Sequence, residues 1–180
     1  MLHGLVHQPR IVRNLVLPVV DLFTDAASTP ARIAGVLFGA DTQSPLYTEW
    51  VPDGRFWNAL LLRSDNQIVA LELVAVVVSI ATFARLLVAR TVRLWIDNSA
   101  GELQLRRGSA RSDDHNRWVH SVWLSSIEWG FNFWIERVPS KLNVADEPSR
   151  RDYRAMREIG ALSVDPTIPS EFSTYGRLQA

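Results

Sequence analysis

The chain has 180 residues, of which 47% are hydrophobic and 21% charged, and 19 basic residues balance 19 acidic ones. This length fits one domain with short extensions, and the apolar content argues against a disordered chain. The absence of cysteine excludes a disulfide scaffold, a cysteine-ligated zinc site, an iron–sulfur cluster and a cysteine nucleophile. A zero net charge provides no large positive field to recruit nucleic acid or anionic membrane.

Three β-rich segments with turn residues between them open the predicted domain. Their close spacing predicts an antiparallel meander. The loop that follows is expected to place Phe56 and Trp57 against the core. The predicted strands are residues 19–25, 33–38 and 46–51, and the predicted loop is 52–63.

A long apolar segment follows at residues 68–89, and its 22 residues are enough to span a bilayer. Glu72 and Arg85 lie inside it, and a charge within a membrane span is costly. We therefore favour a helix buried in a protein core over a membrane span. Ser64 and Gln67 have the spacing of a capping box, which predicts that the helix covers residues 64–89. A signal peptide is rejected, because polar and charged residues interrupt residues 1–21 and no small-residue cleavage site follows.

The second half of the chain alternates strands and helices. Ser99 and Glu102 form a second capping box directly after a strand, and Gly130 is a natural helix stop. The order β-β-β-α-β-α-α-β-α predicts an α/β fold with a five-stranded mixed sheet, a central first strand and helices on its faces. The predicted elements are strands at 92–97 and 131–138, and helices from 99, over 113–129 and over 146–160. The predicted divisions are an N-terminal extension (1–18), the domain (19–160) and a tail or linker (161–180).

Four carboxylates occupy an unusual set of places in this scheme. Asp25 and Asp97 end the first and fourth strands, Glu72 lies in the apolar helix, and Asp146 starts the last helix. If those strands are neighbours, Asp25 and Asp97 lie side by side where open sheets bind ligands. Each acid alone has an ordinary reading as a turn, a cap or an arginine partner. Together they indicate a metal site, because two Mg²⁺ ions about 4 Å apart can activate a water and stabilise the leaving oxygen of a phosphodiester.

Four segments of the chain resemble the ribonuclease H domain of retroelement reverse transcriptases. The last of them resembles the V-P-x-x-x-N-x-A-D-x-x-S-R ending of long-terminal-repeat retrotransposons, and especially of the tyrosine-recombinase (DIRS-like) type. The resemblance covers about residues 19–153. Its segments are LFTDAAS (22–28), QIVALELVAV (67–76), VRLWIDNSAG (92–101) and ERVPSKLNVADEPSR (136–150).

The resemblance implies an RNase H-like fold with strand order 3-2-1-4-5 and a catalytic quartet of Asp25, Glu72, Asp97 and Asp146. These residues would also bind two Mg²⁺ ions, with Mn²⁺ as an expected substitute. The implied activity is endonucleolytic cleavage of the RNA strand of an RNA–DNA hybrid by two-metal-ion hydrolysis. The implied partners are the hybrid and the polymerase domains of a reverse transcriptase, with no membrane, and an intracellular location in cytoplasm or nucleus is expected.

Two departures from the cellular members of that family leave an alternative open. Residues 131–145 contain no histidine, and only residues 108–112 separate the two middle helices, where cellular members carry a basic helix. The alternative is a catalytically degenerate module that keeps the fold for binding or scaffolding, and the intact acidic quartet favours the enzyme. An exonuclease or integrase is disfavoured by the N-x-A-D-x-x-S-R ending. Candidate substrate contacts are Ser28, Asn98, Arg106, Arg107, Arg111 and Asn143.

Overall fold

The computed structural model describes residues 16–58, 60–61 and 67–170. Strands and helices alternate after an initial three-stranded meander, as the sequence predicts. The strands are β1 Val19–Ser28, β2 Ala31–Phe38, β3 Leu46–Trp50, β4 Thr91–Ile96, β5 Asn132–Arg137 and β6 Leu162–Ser163. The helices are α1 Gly54–Asn58, α2 Ile68–Leu87, α3 Ser99–Arg107, α4 Asp113–Trp129, α5 Asp146–Ser149 and α6 Arg154–Glu158, with a 3₁₀ turn at Ser140–Leu142.

The strands form one mixed sheet in the order β5-β4-β1-β2-β3-β6. β2 is antiparallel to both β1 and β3, whereas β4 is parallel to both β1 and β5. The predicted fold class and the order 3-2-1-4-5 are confirmed. Within the described residues the strand count is corrected to six, because β6 adds parallel pairing to the edge of β3 through Leu46↔Leu162. A two-residue strand has too few side chains to show a period in the sequence, which is why the segment was expected to be tail.

The apolar segment is a core helix, as expected. By length and composition alone α2 could cross a membrane, but 72% of its most apolar 18-residue window is buried inside the protein. It packs against β1 and β2 on one side and against α4 on the other. Gly35 makes the contact with β2 possible, because a Cβ there would lie 2.0 Å from Ser79 Oγ. The helix begins at Ile68, after Gln67 in the left-handed conformation, and Ser64 of the expected capping box lies outside the described residues.

Two further details differ from the prediction, one at the start of α3 and one in the loop after β3. The N-cap of α3 is Asn98 and not Ser99, because Asn98 Oδ1 accepts hydrogen bonds from the N–H groups of Ala100 and Gly101, at 3.0 and 2.9 Å. Within the predicted 52–63 loop the chain forms the short helix α1. Phe56 on this helix is buried, and Trp57 packs partly buried against the same core, as expected.

The predicted last helix is two short helices. α5 ends at Ser149, and Arg151 has a φ of 65°, a backbone conformation that a continuous α-helix excludes. α6 then begins at Arg154 and buries Met156 against the sheet face opposite α2. The break between the helices brings residues 149–151 beside the end of the β1–β2 hairpin.

Candidate active site

The site lies where β1 and β4 separate. Their parallel pairing ends at Phe23↔Trp95, and β1 then continues beside β2 alone as far as Ser28. Asp25 therefore lies just past the last shared pair, and Asp97 follows the end of β4. The carboxyl ends of two neighbouring parallel strands thus form a crevice, the usual ligand position of an open α/β sheet.

Three of the four predicted acids converge in this crevice. Asp25, Glu72 and Asp97 each present a carboxylate oxygen, and these oxygens lie within 4.8 Å of one another. Asp25 and Glu72 are each only 3% exposed, whereas Asp97 is half-buried. Glu72 reaches the strand ends from α2, which packs across β1.

The fourth predicted acid, Asp146, borders this group without joining it. It supplies no oxygen to the 4.8 Å cluster, although its negative charge raises the pKa of both Asp25 and Glu72. Asp146 Oδ1 accepts a hydrogen bond from Arg150 Nε at 2.8 Å, one helical turn further on. Asp146 is therefore a partly neutralised neighbour of the cluster.

The electrostatics of the cluster are unfavourable without a cation. Burial raises the pKa of Asp25 to about 7; the charges of Asp97 and Asp146 also raise it, while the Ser149 hydrogen bond and Arg150 lower it. Burial likewise raises the pKa of Glu72 well above its ordinary value, as do the charges of Asp25 and Asp97. Glu72 Oε2 is buried and has no hydrogen-bond partner among the residues that the structure describes. A buried oxygen without a partner among like charges fits a site for a hard divalent cation, which prefers carboxylate oxygens.

Two neutral side chains orient the Asp25 carboxylate. Ser149 Oγ donates to Asp25 Oδ2 at 2.5 Å. Asn143 Nδ2 donates to the carbonyl oxygen of Thr24 at 3.0 Å and lies 3.4 Å from Asp25 Oδ1. Partners of this kind fix the direction of a metal-binding carboxylate. Asn143 was expected to contact substrate, but it is only 4% exposed and lies beneath Asp25.

Sequence reasoning missed Ser149. The available signal was its place three residues after Asp146 in the D-x-x-S-R ending, a spacing that puts both residues on the same side of a helical turn. Its link to Asp25 crosses 124 positions of the chain, which no local pattern reveals.

The remaining predicted substrate contacts lie on several different elements. Asn98 caps α3, and Arg106 forms ion pairs with Glu102 at 2.9 Å and with Glu136 at 3.5 Å. Arg107 and Arg111 are exposed and line a groove of about 560 Å³ between α3 and the start of α4. Ser28 ends β1.

Comparison with known proteins identifies the fold. No family model matches the chain, and no curated protein matches it. Among solved structures, the chain is similar to ribonuclease H1 from the halophilic archaeon Halobacterium salinarum, with 21% identity, a TM-score of 0.51 and coverage of 71% of this chain and 90% of that one. It is also similar to the N-terminal RNase H domain of a Mycobacterium tuberculosis protein, solved as a fusion with maltose-binding protein, with 18% identity, a TM-score of 0.56 and coverage of 80% and 99%. The chain has an RNase H-like fold.

Proposed function

We propose that this protein is an endoribonuclease that hydrolyses the RNA strand of RNA–DNA hybrids with the help of bound Mg²⁺. The observation that carries the proposal is the cluster of Asp25, Glu72 and Asp97, whose oxygens lie within 4.8 Å at the strand ends of an RNase H-like fold. The solved structures similar to this chain are named as ribonucleases H, which supports the same chemistry here.

The residues that would hold the metal are Asp25, Glu72 and Asp97, with Asp146 at the edge. Two bound Mg²⁺ ions would supply a polarised water and charge stabilisation for the leaving oxygen of the phosphodiester. Ser149 and Asn143 hold the Asp25 carboxylate in one orientation, so the ligand geometry is set before metal arrives. Arg150 holds the Asp146 carboxylate beside the cluster.

Substrate capture by this domain alone should be weak. An RNA–DNA hybrid is recognised by the shape of its minor groove and by the 2′-hydroxyl groups of the RNA strand, while phosphate contacts supply much of the affinity. This chain has a net charge of zero, and Arg106 is already paired with Glu102 and Glu136. We propose that the domain belongs to a retroelement-type reverse transcriptase whose polymerase part holds the duplex. Fusing a hybrid-binding module should then lower KM more than it raises kcat.

Cleavage of a labelled RNA–DNA hybrid in millimolar Mg²⁺ tests the proposal, with single-stranded RNA and duplex DNA as substrate controls. Asp97→Asn should nearly abolish cleavage of the hybrid, because it removes a ligand charge without changing the side-chain shape. Asp165→Asn makes the same charge change at an exposed position outside the crevice and should leave the rate unchanged. Equal cleavage of all three substrates, or equal activity of both variants, would contradict the proposal.

A binding module without nuclease activity is the second candidate. The observation that favours it is the engagement of Asp146 by Arg150, which leaves three acids and not four in the tight cluster. Such a module would bind hybrid and leave it uncut in both Mg²⁺ and Mn²⁺. Hybrid binding and cleavage measured on the same preparation separate the two candidates.

A further inference from the structure

A second polar pocket lies beside the carboxylate cluster, on the far side of Ser149. It is a cavity of about 150 Å³ between the β1–β2 hairpin and the break that separates α5 from α6. The cavity holds more than the ~30 Å³ that one water molecule occupies in the liquid. Three of its seven lining residues are arginines, Arg32, Arg150 and Arg151.

The strand register places this pocket close to Asp25. Arg32 lies directly opposite Ala27, and Asp25 lies directly opposite Ala34. Side chains alternate between the faces of a strand, so Asp25, Ala27 and Arg32 share one face. Asp25 and Arg32 are diagonal neighbours across the pair, a relation that separates Cα atoms by about 7–8 Å. Ser149 lines the pocket and donates a hydrogen bond to Asp25, so it forms the wall between the two sites.

Arg32 is held as a preformed donor. Its side chain is only 7% exposed, and its Nη1 forms an ion pair with Glu49 Oε2 at 2.9 Å. Tyr153 Oη donates to both oxygens of Glu49, at 2.9 and 2.8 Å, and so holds this carboxylate. A guanidinium group has five N–H donors, and within the described part of the chain Glu49 is the partner seen for Arg32. Arg32 also lines the cavity, so its remaining donors are candidates for binding a ligand there.

The three arginines of the pocket outnumber the acids that pair with them. Glu49 offsets Arg32, and Asp146 offsets Arg150 at 2.8 Å. The exposed guanidinium of Arg151 has no ion pair or hydrogen bond in the part of the chain that the structure describes. The positive charge of Arg151 is therefore not offset by a paired acid, although the carboxylate cluster lies nearby. Forked guanidinium donors recognise phosphate oxygens in pairs, so the ligand that this pocket fits is a phosphate group.

We propose that the pocket of Arg32, Arg150 and Arg151 binds a phosphate of the cleaved RNA strand next to the one at the carboxylate cluster. This inference rests on the proposed function for its substrate. The pocket itself is an anion site that does not depend on catalysis. Phosphate binding at this pocket would fix which phosphodiester of the RNA strand lies at the carboxylate cluster. The domain would need few surface charges to do this.

The first experiment uses inorganic phosphate as the probe, in EDTA and without nucleic acid. Arg151→Gln removes the unpaired charge and keeps the side-chain length, whereas replacing Arg32 would also leave half-buried Glu49 without its cation. Arg157→Gln is the matched control, since Arg157 is exposed on α6 and does not line the pocket. Phosphate at ten times its dissociation constant should raise the Tm of wild type and Arg157→Gln by about 3 °C more than that of Arg151→Gln. General stabilisation by a kosmotropic anion would raise the Tm of all three proteins equally, and that result would overturn the assignment of the pocket as a phosphate site.

The second experiment measures hybrid cleavage in a salt series. Arg151→Gln should raise KM about tenfold with kcat unchanged, and should reduce the slope of log affinity against log salt by about 0.9, as one lost phosphate contact predicts. If phosphate binding is lost in Arg151→Gln but KM is unchanged, the assignment to the RNA strand is wrong. If wild type binds phosphate at this pocket but cleaves no hybrid, the proposed nuclease function fails and the anion site stands.

Discussion

Two aspartates on the same strand show how neighbouring strands decide the role of a carboxylate. Asp21 and Asp25 both lie on β1 and, by alternation, on the same face of the sheet. Asp21 accepts hydrogen bonds from Arg93 Nη2 at 2.6 Å and Trp95 Nε1 at 2.7 Å, both on β4. Asp25 has neutral donors in Ser149 and Asn143 and lies among other acids.

The difference follows from the pairing of β1 with β4. At Asp21 the two strands are still in register, so Asp21 lies opposite Arg93 and its charge is offset. Past Phe23 the strands separate, and the next acid meets Asp97 and Glu72 in place of an arginine. One aspartate is therefore a structural partner. The other carries unfavourable burial and repulsion that a bound cation would relieve.

The largest difference between the two positions should appear in catalysis. Asp25→Asn should lower hybrid cleavage by roughly a thousandfold or more, because charge stabilisation by a bound metal is worth several kcal/mol. Asp21→Asn, the same substitution four residues earlier, should stay within about twofold of wild type. Single-turnover cleavage rates in saturating Mg²⁺ measure both. A comparable loss of cleavage rate in Asp21→Asn would contradict the assignment of Asp21 as a structural partner and Asp25 as a metal ligand.

The next effect concerns pH in the absence of metal. Burial and the neighbouring acids raise the pKa of Asp25 to about 7 from an ordinary 3.8, so between these values the folded chain binds a proton that the unfolded chain has lost. The contribution of Asp25 to stability in EDTA should therefore be largest near the lower value and fall by roughly 4 kcal/mol as pH rises to about 7. The raised pKa of Glu72 acts in the same direction. Urea unfolding at several pH values tests this, and Asp25→Asn should flatten the profile while Asp21→Asn should not.

Bound Mg²⁺ should raise the stability that the ionised acids lower at high pH. Metal binding needs the ionised carboxylates, so above about pH 7 Mg²⁺ should raise the free energy of unfolding by about 2.7 kcal/mol at one hundred times its dissociation constant. Thermal melts with Mg²⁺ and with EDTA measure the shift. It should be retained in Asp21→Asn and lost in Asp25→Asn. A wild type with no shift at millimolar Mg²⁺ would favour the binding module over the nuclease.

Glu72→Gln should stabilise the metal-free protein. The substitution removes a buried carboxylate whose Oε2 has no hydrogen-bond partner, and the amide that replaces it can donate to the neighbouring acids. We expect a gain of about 1–2 kcal/mol at pH 8 in EDTA, together with loss of cleavage. Glu128→Gln, at an exposed position on α4, should change stability by less than about 0.5 kcal/mol. Destabilisation by Glu72→Gln would mean that the ionised Glu72 carboxylate is already stabilised by its surroundings in the absence of metal.

The smallest effect is the stability cost of Asp21→Asn. Its ion pair with Arg93 is partly exposed, with side-chain exposures of 47% for Arg93 and 25% for Asp21. Exposed pairs contribute about 1 kcal/mol or less, and an asparagine can still accept from Trp95. Urea unfolding at 0.1 and 1 M salt should show a loss of that size that shrinks at high salt. A larger loss, independent of salt, would mean that the asparagine does not keep the Trp95 hydrogen bond.

Much of the fold was predictable because local patterns specify it. β-rich segments between turn residues located five strands, and α4 covers residues 113–129 as predicted, with Gly130 as its stop. The short connections between the first strands predicted a meander, and the helical crossovers predicted parallel strands, which together give a mixed sheet with a central first strand. The full order 3-2-1-4-5 was implied by the resemblance to ribonuclease H domains. Asp97 follows the end of β4 as predicted, whereas β1 continues past Asp25 to Ser28, so the predicted end of the first strand was wrong.

The sequence by itself therefore determined most of the elements, the mixed sheet with its central first strand and the candidate acids, because those follow from patterns a few residues long. Only the tertiary structure decided which acids meet, that Ser149 and Asn143 hold Asp25, and that Asp146 is held by Arg150 at the edge. The same is true of β6, of the break at Arg151 and of the arginine pocket it helps to form. The physical reason is that burial, pKa and the set of charges around a group come from side chains distant in sequence, which pack together only in the folded chain.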